Sequence, residues 1–158
     1  MQLYSMTEQE AKAVTEWQYP PPYDVYRWPA WDDMLREGRE FADPDIRAAQ
    51  YLSVLDSRDR SLIGYVQLFP LDRAIRIGIG LRPDLCDRGL GTPIIKLAVA
   101  EAARRQPEAE IDLEVEQWNK RAIRAYEKAG FTITDEYVRR ATHGPVQLYC
   151  MVWHNARD

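Results

Sequence analysis

The sequence predicts an α/β fold built on a mixed sheet, and three observations carry that prediction. Ile77, Ile79 and Leu81 alternate with Arg76, Gly78 and Gly80, which is strand spacing. Ile94, Ile95, Leu97, Ala98, Val99 and Ala102 mark one broad face of a helix over 92–105. Ile111 to Glu116 then alternates as a second strand. A helix crossing between strands 74–81 and 111–116 makes the two parallel neighbours. The 158 residues are read as one domain, 1–158, long enough for a proper core.

Taken in order, Leu3-Tyr4-Ser5 reads as a short first strand. Thr7 and Glu10 have capping-box spacing, so a helix is expected from Glu8 to about Trp17. The stretch from Trp17 to Trp31 holds Pro20, Pro21 and Pro22, which exclude a continuous helix. A short helix is expected from Trp31 to about Arg39, and Asp43-Pro44-Asp45 reads as a loop. Tyr51–Leu55 and Leu62–Phe69 read as a hairpin around the charged turn Asp56–Arg60, ahead of the central strand 74–81. Pro107 lies just past the end expected for helix 92–105. Asn119 is a good N-cap and Gly130 a good C′ residue for a helix from Lys120 to Ala129. Phe131–Arg140 and Val146–Trp153 read as two strands joined at His143-Gly144-Pro145.

Composition bounds the function. Hydrophobic residues make 46% and charged residues 29%, ordinary values for a soluble globular chain. There is no apolar run of membrane-spanning length and no basic, apolar leader, so a cytoplasmic protein that does not engage a membrane is expected. Cys86 and Cys150 form no repeated spacing and no metal pattern, and no metal is expected. A net charge of −4 argues against general nucleic-acid binding and mildly favours a cationic or amine substrate.

The turn between strand 74–81 and its helix carries the first functional signal. Gly89 and Gly91 let backbone approach a ligand closely, and Pro93 suits the first turn of the helix. A helix start behind a glycine loop offers free N–H groups and a positive dipole end, which suit a pyrophosphate. The loop is not a P-loop, because no Gly-Lys-Ser/Thr follows, and Pro83 breaks a Gly-x-Gly-x-x-Gly reading that would start at Gly78.

Residues 76–103 and 113–131 together resemble the GNAT superfamily of N-acetyltransferases. The first stretch resembles its acetyl-CoA-binding strand, Gln/Arg-x-x-Gly-x-Gly/Ala loop and helix. The second resembles Asn-x-x-Ala-x-x-x-Tyr-x-x-x-Gly-Phe, here Asn119, Ala122, Tyr126, Gly130 and Phe131. The resemblance implies a GNAT-like fold: a single, mostly antiparallel mixed sheet with a parallel pair at its centre and helices on both faces. It also implies direct transfer of an acetyl group from acetyl-CoA, as cosubstrate, to an amine on a small molecule or peptide. Many relatives are dimers, so a homodimer is open.

The resemblance assigns cofactor contacts to Arg88, Gly89, Leu90, Gly91 and Thr92 at the pyrophosphate, to Leu81, Arg82 and Pro83 along the pantetheine, and to Asn119 and Tyr126. Leu81 takes the family place whose backbone N–H polarises the thioester carbonyl. Tyr126 takes the place of the general acid to the departing thiolate, and a phenol is protonated at neutral pH. Two positions depart from the pattern. Cys86 stands where Gln or Arg is usual, and Asp87 stands where glycine is common. A CoA-binding module without catalysis is therefore the alternative reading, and a nucleotide-binding domain a third.

Tyr19, Tyr23, Tyr26 and Trp28 either complete the core or line the acceptor site, since rings can stack on a substrate or hold a cation. Asp112, Glu114 and Glu116 share one face of their strand. Glu114 is the first candidate for the base, with a solvated strand face, a water relay or an amine arriving neutral as the other readings.

Overall fold

The computed structural model describes residues 1–155. Its strands are β1 (Gln2–Ser5), β2 (Tyr51–Leu55), β3 (Leu62–Pro70), β4 (Ala74–Leu81), β5 (Glu110–Glu116), β6 (Phe131–Ala141) and β7 (Gly144–Trp153). Its α-helices are α1 (Glu8–Thr15), α2 (Trp31–Glu37), α3 (Pro44–Gln50), α4 (Gly91–Arg105) and α5 (Lys120–Lys128). The strands form one mixed sheet in the order β1-β2-β3-β4-β5-β7-β6. The expected parallel pair is β4 with β5, in the fourth and fifth places. No helix among the described residues is long and apolar enough to cross a membrane.

Two compact units divide the chain. The first comprises Met1–Gln67 and Ile79–Arg88. Its helices start where the side chains dictate. Thr7 closes a full capping box with Glu10 at the head of α1. Gly38, with φ of 58°, ends α2 in a left-handed turn. The stretch expected as a loop at Asp43-Pro44-Asp45 is instead the start of α3. Asp43 accepts hydrogen bonds from the N–H groups of Asp45 and Ile46, and Pro44 takes the first helical position, where no N–H is needed. The same residues that break a helix from within begin one here.

The first unit's core gathers Met6, Val14, Met34, Phe41 and Tyr51, with Trp17, Trp28, Trp31 and Tyr65 packed against it. Every residue of β2 is buried, so Ser53 needs a partner, and its hydroxyl donates to Glu10 at 2.9 Å. Gly80 is required by packing. A Cβ there would lie 2.0 Å from the Tyr65 ring, and one at Gly64 would lie 2.5 Å from the Gly80 carbonyl oxygen. The close approach at Gly80 is thus made by an aromatic side chain of β3.

The second unit comprises Leu68–Gly78 and the chain from Gly89 onward. Ile94, Ile95, Ala98, Val99 and Ala102 bury the inner face of α4, and Ile111, Leu113 and Val115 bury one face of β5. The parallel register runs from Ala74↔Glu110 to Arg76↔Asp112 and stops, so Ile77 and Gly78 continue without a β5 partner. β7 pairs antiparallel with both β5 and β6.

Candidate active site

In the second unit, the loop before α4 turns by left-handed backbone: Gly89 has φ of 73°. Asp87, two residues earlier and at the end of the first unit, also adopts positive φ, 63°, which Asp tolerates better than most residues. That gives the departure at position 87 a physical reading, since a glycine would meet the same backbone demand. α4 then begins at Gly91 without a side-chain cap, whereas Thr7, Asp43 and Asn119 cap α1, α3 and α5. The N–H groups of Gly91 and Thr92 point out of the first turn of a 15-residue helix, a donor set that fits a diphosphate.

α5 is held against that turn. The Thr92 hydroxyl donates to the Ala125 carbonyl at 3.1 Å, and a Cβ on Gly91 would meet the Ala125 methyl at 3.5 Å. Tyr126 follows directly, half-buried, its ring 6.3 Å from Phe131. The Thr92 side chain therefore fastens one helix to the next, a use that sequence spacing does not reveal. Asn119 is buried, and its side chain accepts from the Ala122 N–H at 3.1 Å, the cap its position predicts.

In the first unit, Tyr19 donates its phenol proton to the Leu81 carbonyl at 2.7 Å, across 62 residues of sequence. Arg82 forms a paired contact with Asp84 at 2.7 and 3.2 Å, donates to the Leu62 carbonyl at 2.9 Å, and has its own N–H on the Ile63 carbonyl. The end of β4 is thus fixed by its side chains as well as by its ladder. Pro83 opens a single 3₁₀ turn, and Cys86 caps it, with its thiol 3.8 Å from the Arg82 carbonyl. Arg88 is exposed.

The four acceptor candidates separate. Trp28 meets Phe41 edge-on at 4.8 Å and donates its Nε1–H to the Tyr65 hydroxyl at 3.3 Å, so it helps build the core. Tyr23 and Tyr26 lie in a short 3₁₀ turn, where Tyr26 is 38% exposed. Burial raises the Tyr65 phenol to about 12. Tyr51 is raised as well, by burial first and then by its hydrogen bond to Glu40.

The carboxylate face of β5 is a network. Asp112 is buried and takes a bidentate contact from Arg76 at 2.9 and 3.0 Å. That hydrogen bond pushes the Arg76 pKa up. Glu114 Oε1 faces Arg76 at 3.2 Å and Arg139 at 3.0 Å, while Oε2 accepts from the Tyr137 hydroxyl. Both oxygens of the candidate base are thereby engaged. Glu116 accepts from Trp118 Nε1. Burial, and then the charge of Asp112, pushes the Cys150 thiol up, and its Sγ lies 3.8 Å from Asp112.

Residues 11–131 match the model of the acetyltransferase (GNAT) family. No curated protein matches the chain by sequence. Among solved structures, a spermidine N-acetyltransferase chimera of Vibrio cholerae SpeG and hSSAT is similar, with a TM-score of 0.77 at 17% identity, over 96% of this chain and 93% of that one. The Vibrio cholerae spermidine N-acetyltransferase in complex with CoA and spermine gives a TM-score of 0.72 at 16% identity, over 96% and 94%. A GNAT-family acetyltransferase from Bacillus anthracis gives 0.62 at 14%, over 71% and 69%. At these identities the structural likeness speaks for the fold. The family match covers most of the chain, and with it the glycine loop, the Asn119 cap and Tyr126: this protein belongs to the acetyltransferase (GNAT) family.

Proposed function

We propose that the protein is an N-acetyltransferase that moves an acetyl group directly from acetyl-CoA to an amine. The observation that carries the proposal is the start of α4, with its uncapped first-turn amides, its left-handed Gly89 and its attachment through Thr92 to the helix bearing Tyr126. Bound acetyl-CoA would supply the acetyl group as an activated thioester.

The chain's own residues take the remaining tasks. Backbone amides of the 88–92 segment hold negative charge at the helix start, aided by Arg88. The Leu81 N–H is the proposed donor to the thioester carbonyl, and Tyr19 steadies the same residue by donating to the Leu81 carbonyl of the next peptide unit. Tyr126 is the proposed proton donor to the leaving thiolate, with Asn119 setting the start of its helix. Arg82 and Pro83 are the proposed contacts along the pantetheine. Tyr23 and Tyr26 are the aromatic candidates for contact with the acceptor. For the amine's proton, the engaged oxygens of Glu114 favour an amine that arrives neutral. Glu114→Gln tests this: it leaves the acid limb of the kcat/KM profile in place on that reading and shifts it if Glu114 is the base.

The decisive assay is release of CoA thiol with a panel of amines, including spermidine, spermine, amino acids, aminoglycosides and peptides. Turnover with at least one amine is expected. Tyr126→Phe should lower kcat by about 10²–10⁴-fold and leave acetyl-CoA binding nearly unchanged. Tight acetyl-CoA binding with no turnover on any amine would contradict the proposal and favour a CoA-binding module.

A further inference from the structure

Glu40, in the first unit, is a half-buried carboxylate that no cation faces among the described residues. The basic residues beside it in the chain are used elsewhere. Arg39 lies 3.9 Å from Glu37, and Arg47 donates to the Phe41 carbonyl at 2.9 Å. Two neutral groups share one Glu40 oxygen: the Tyr51 hydroxyl donates to Oε2 at 2.6 Å, and the Gln67 amide at 3.3 Å. Oε1 accepts from no described residue. A carboxylate drawn partly out of water is normally paired with a cation or fully hydrogen-bonded. The backbone at Glu40 is also uncommon, with φ of 51°, in the left-handed region. Glycine would meet that demand without strain, so the turn by itself does not call for a glutamate.

Aromatic rings stand beside the carboxylate. Phe41 follows it in the chain, with Trp28 at 4.8 Å and Tyr65 at 6.3 Å from the Phe41 ring. Trp17 stacks on Tyr65 at 6.3 Å. Phe41 is fully buried, but Trp17, Trp28 and Tyr65 keep accessible surface. A carboxylate beside ring surfaces is the setting in which an organic cation is held, by charge at its head and by the rings along its stem. The same rings border the proposed donor to the thioester. Tyr65 covers Gly80, where a Cβ would lie 2.8 Å from the phenol oxygen, and Leu81 is the next residue.

We propose that Glu40, Trp28 and Tyr65 form a subsite for an alkylammonium group of the acceptor, with Glu40 Oε1 taking the charged hydrogen bond. One open oxygen suits the point charge of an ammonium. A carboxylate favours the charged form of an amine, whereas the attacking amine must be neutral. The group held at Glu40 is therefore not the one that reacts, and the acceptor class is a compound with two amino groups, one held charged and one acetylated. That the bound cation is the acceptor rests on the acetyltransferase reading; the binding itself does not.

The test is calorimetric titration of the full chain with diaminobutane, with butanediol as the neutral control. Diaminobutane binding in the millimolar range or tighter is expected, and none of the diol. Glu40→Gln keeps an acceptor for Tyr51 and Gln67 and should weaken binding by about tenfold or more. Glu40→Gly relieves the left-handed backbone and should lose the binding without lowering the thermal unfolding temperature, which loss of a merely structural glutamate would lower. Release of CoA thiol is assayed on the same samples with the amine panel. Diaminobutane binding that depends on Glu40, with no turnover on any amine, supports the subsite and contradicts the acetyltransferase reading. Absence of diaminobutane binding, equal binding by the unaltered chain and Glu40→Gln, or equal binding of the diol would overturn the subsite, and turnover on other amines would then leave the acetyltransferase reading intact.

Discussion

Asp112 shows how strongly one residue depends on its partner. It is a buried carboxylate in a bidentate pair with Arg76, whose side chain is 30% exposed. Removing one member of a buried pair costs about 3–5 kcal/mol. Glu114 also faces Arg76, so the guanidinium keeps a counter-charge if Asp112 is neutralised. Asp112→Asn is therefore expected to cost less than that range, about 2 kcal/mol, measured by urea unfolding. The buried phenols make a second prediction. The folded-state pKa of Tyr65 lies above its unfolded value, so its contribution is complete below about pH 10 and is lost as the pH rises towards 12. Tyr51 acts in the same direction. Thermal unfolding followed from pH 8 to 12 should show stability falling above pH 10, and Tyr65→Phe should reduce the fall. None of these partnerships was legible in the chain. Asp112, Glu114 and Glu116 could be placed on one face, but Arg76 and Arg139 reach them from other strands. Likewise, Tyr19 was read as an acceptor candidate, and its bond to Leu81 spans 62 residues.

Elements were easier to read where periodicity and caps agreed. β4 was bounded by its alternation, and α5 by Asn119 at one end and Gly130 at the other. α3 was missed because Asp-Pro-Asp is shared by loops and helix starts, and a seven-residue helix has too little periodicity to decide between them. The alternation of β4 did not reveal that the Tyr65 ring approaches Gly80. The contact predicts a coupling. Gly80→Ala places a methyl within the Tyr65 ring and should cost about 1–3 kcal/mol. The cost should be smaller when Tyr65 is already Leu, and a double-mutant cycle by urea unfolding measures the difference. Equal costs in both backgrounds would mean that Tyr65 is not the neighbour that requires glycine.

For the molecule as a whole, the parallel pair followed from the rule for helical crossovers, whereas the place of β7 between β5 and β6 had no signal in the chain. The family was legible because two motifs occur in sequence and each does local structural work: the left-handed turn at Gly89, and the cap at Asn119. The departures at Cys86 and Asp87 concern the loop proposed to hold the cofactor, so acetyl-CoA binding is where the account is most exposed. A calorimetric titration of the full chain with acetyl-CoA, with ATP as the control, tests it directly. The account predicts micromolar binding of acetyl-CoA and none of ATP, weakened when Gly89→Val disturbs the left-handed turn. Absence of acetyl-CoA binding at millimolar concentration in the folded protein would contradict it.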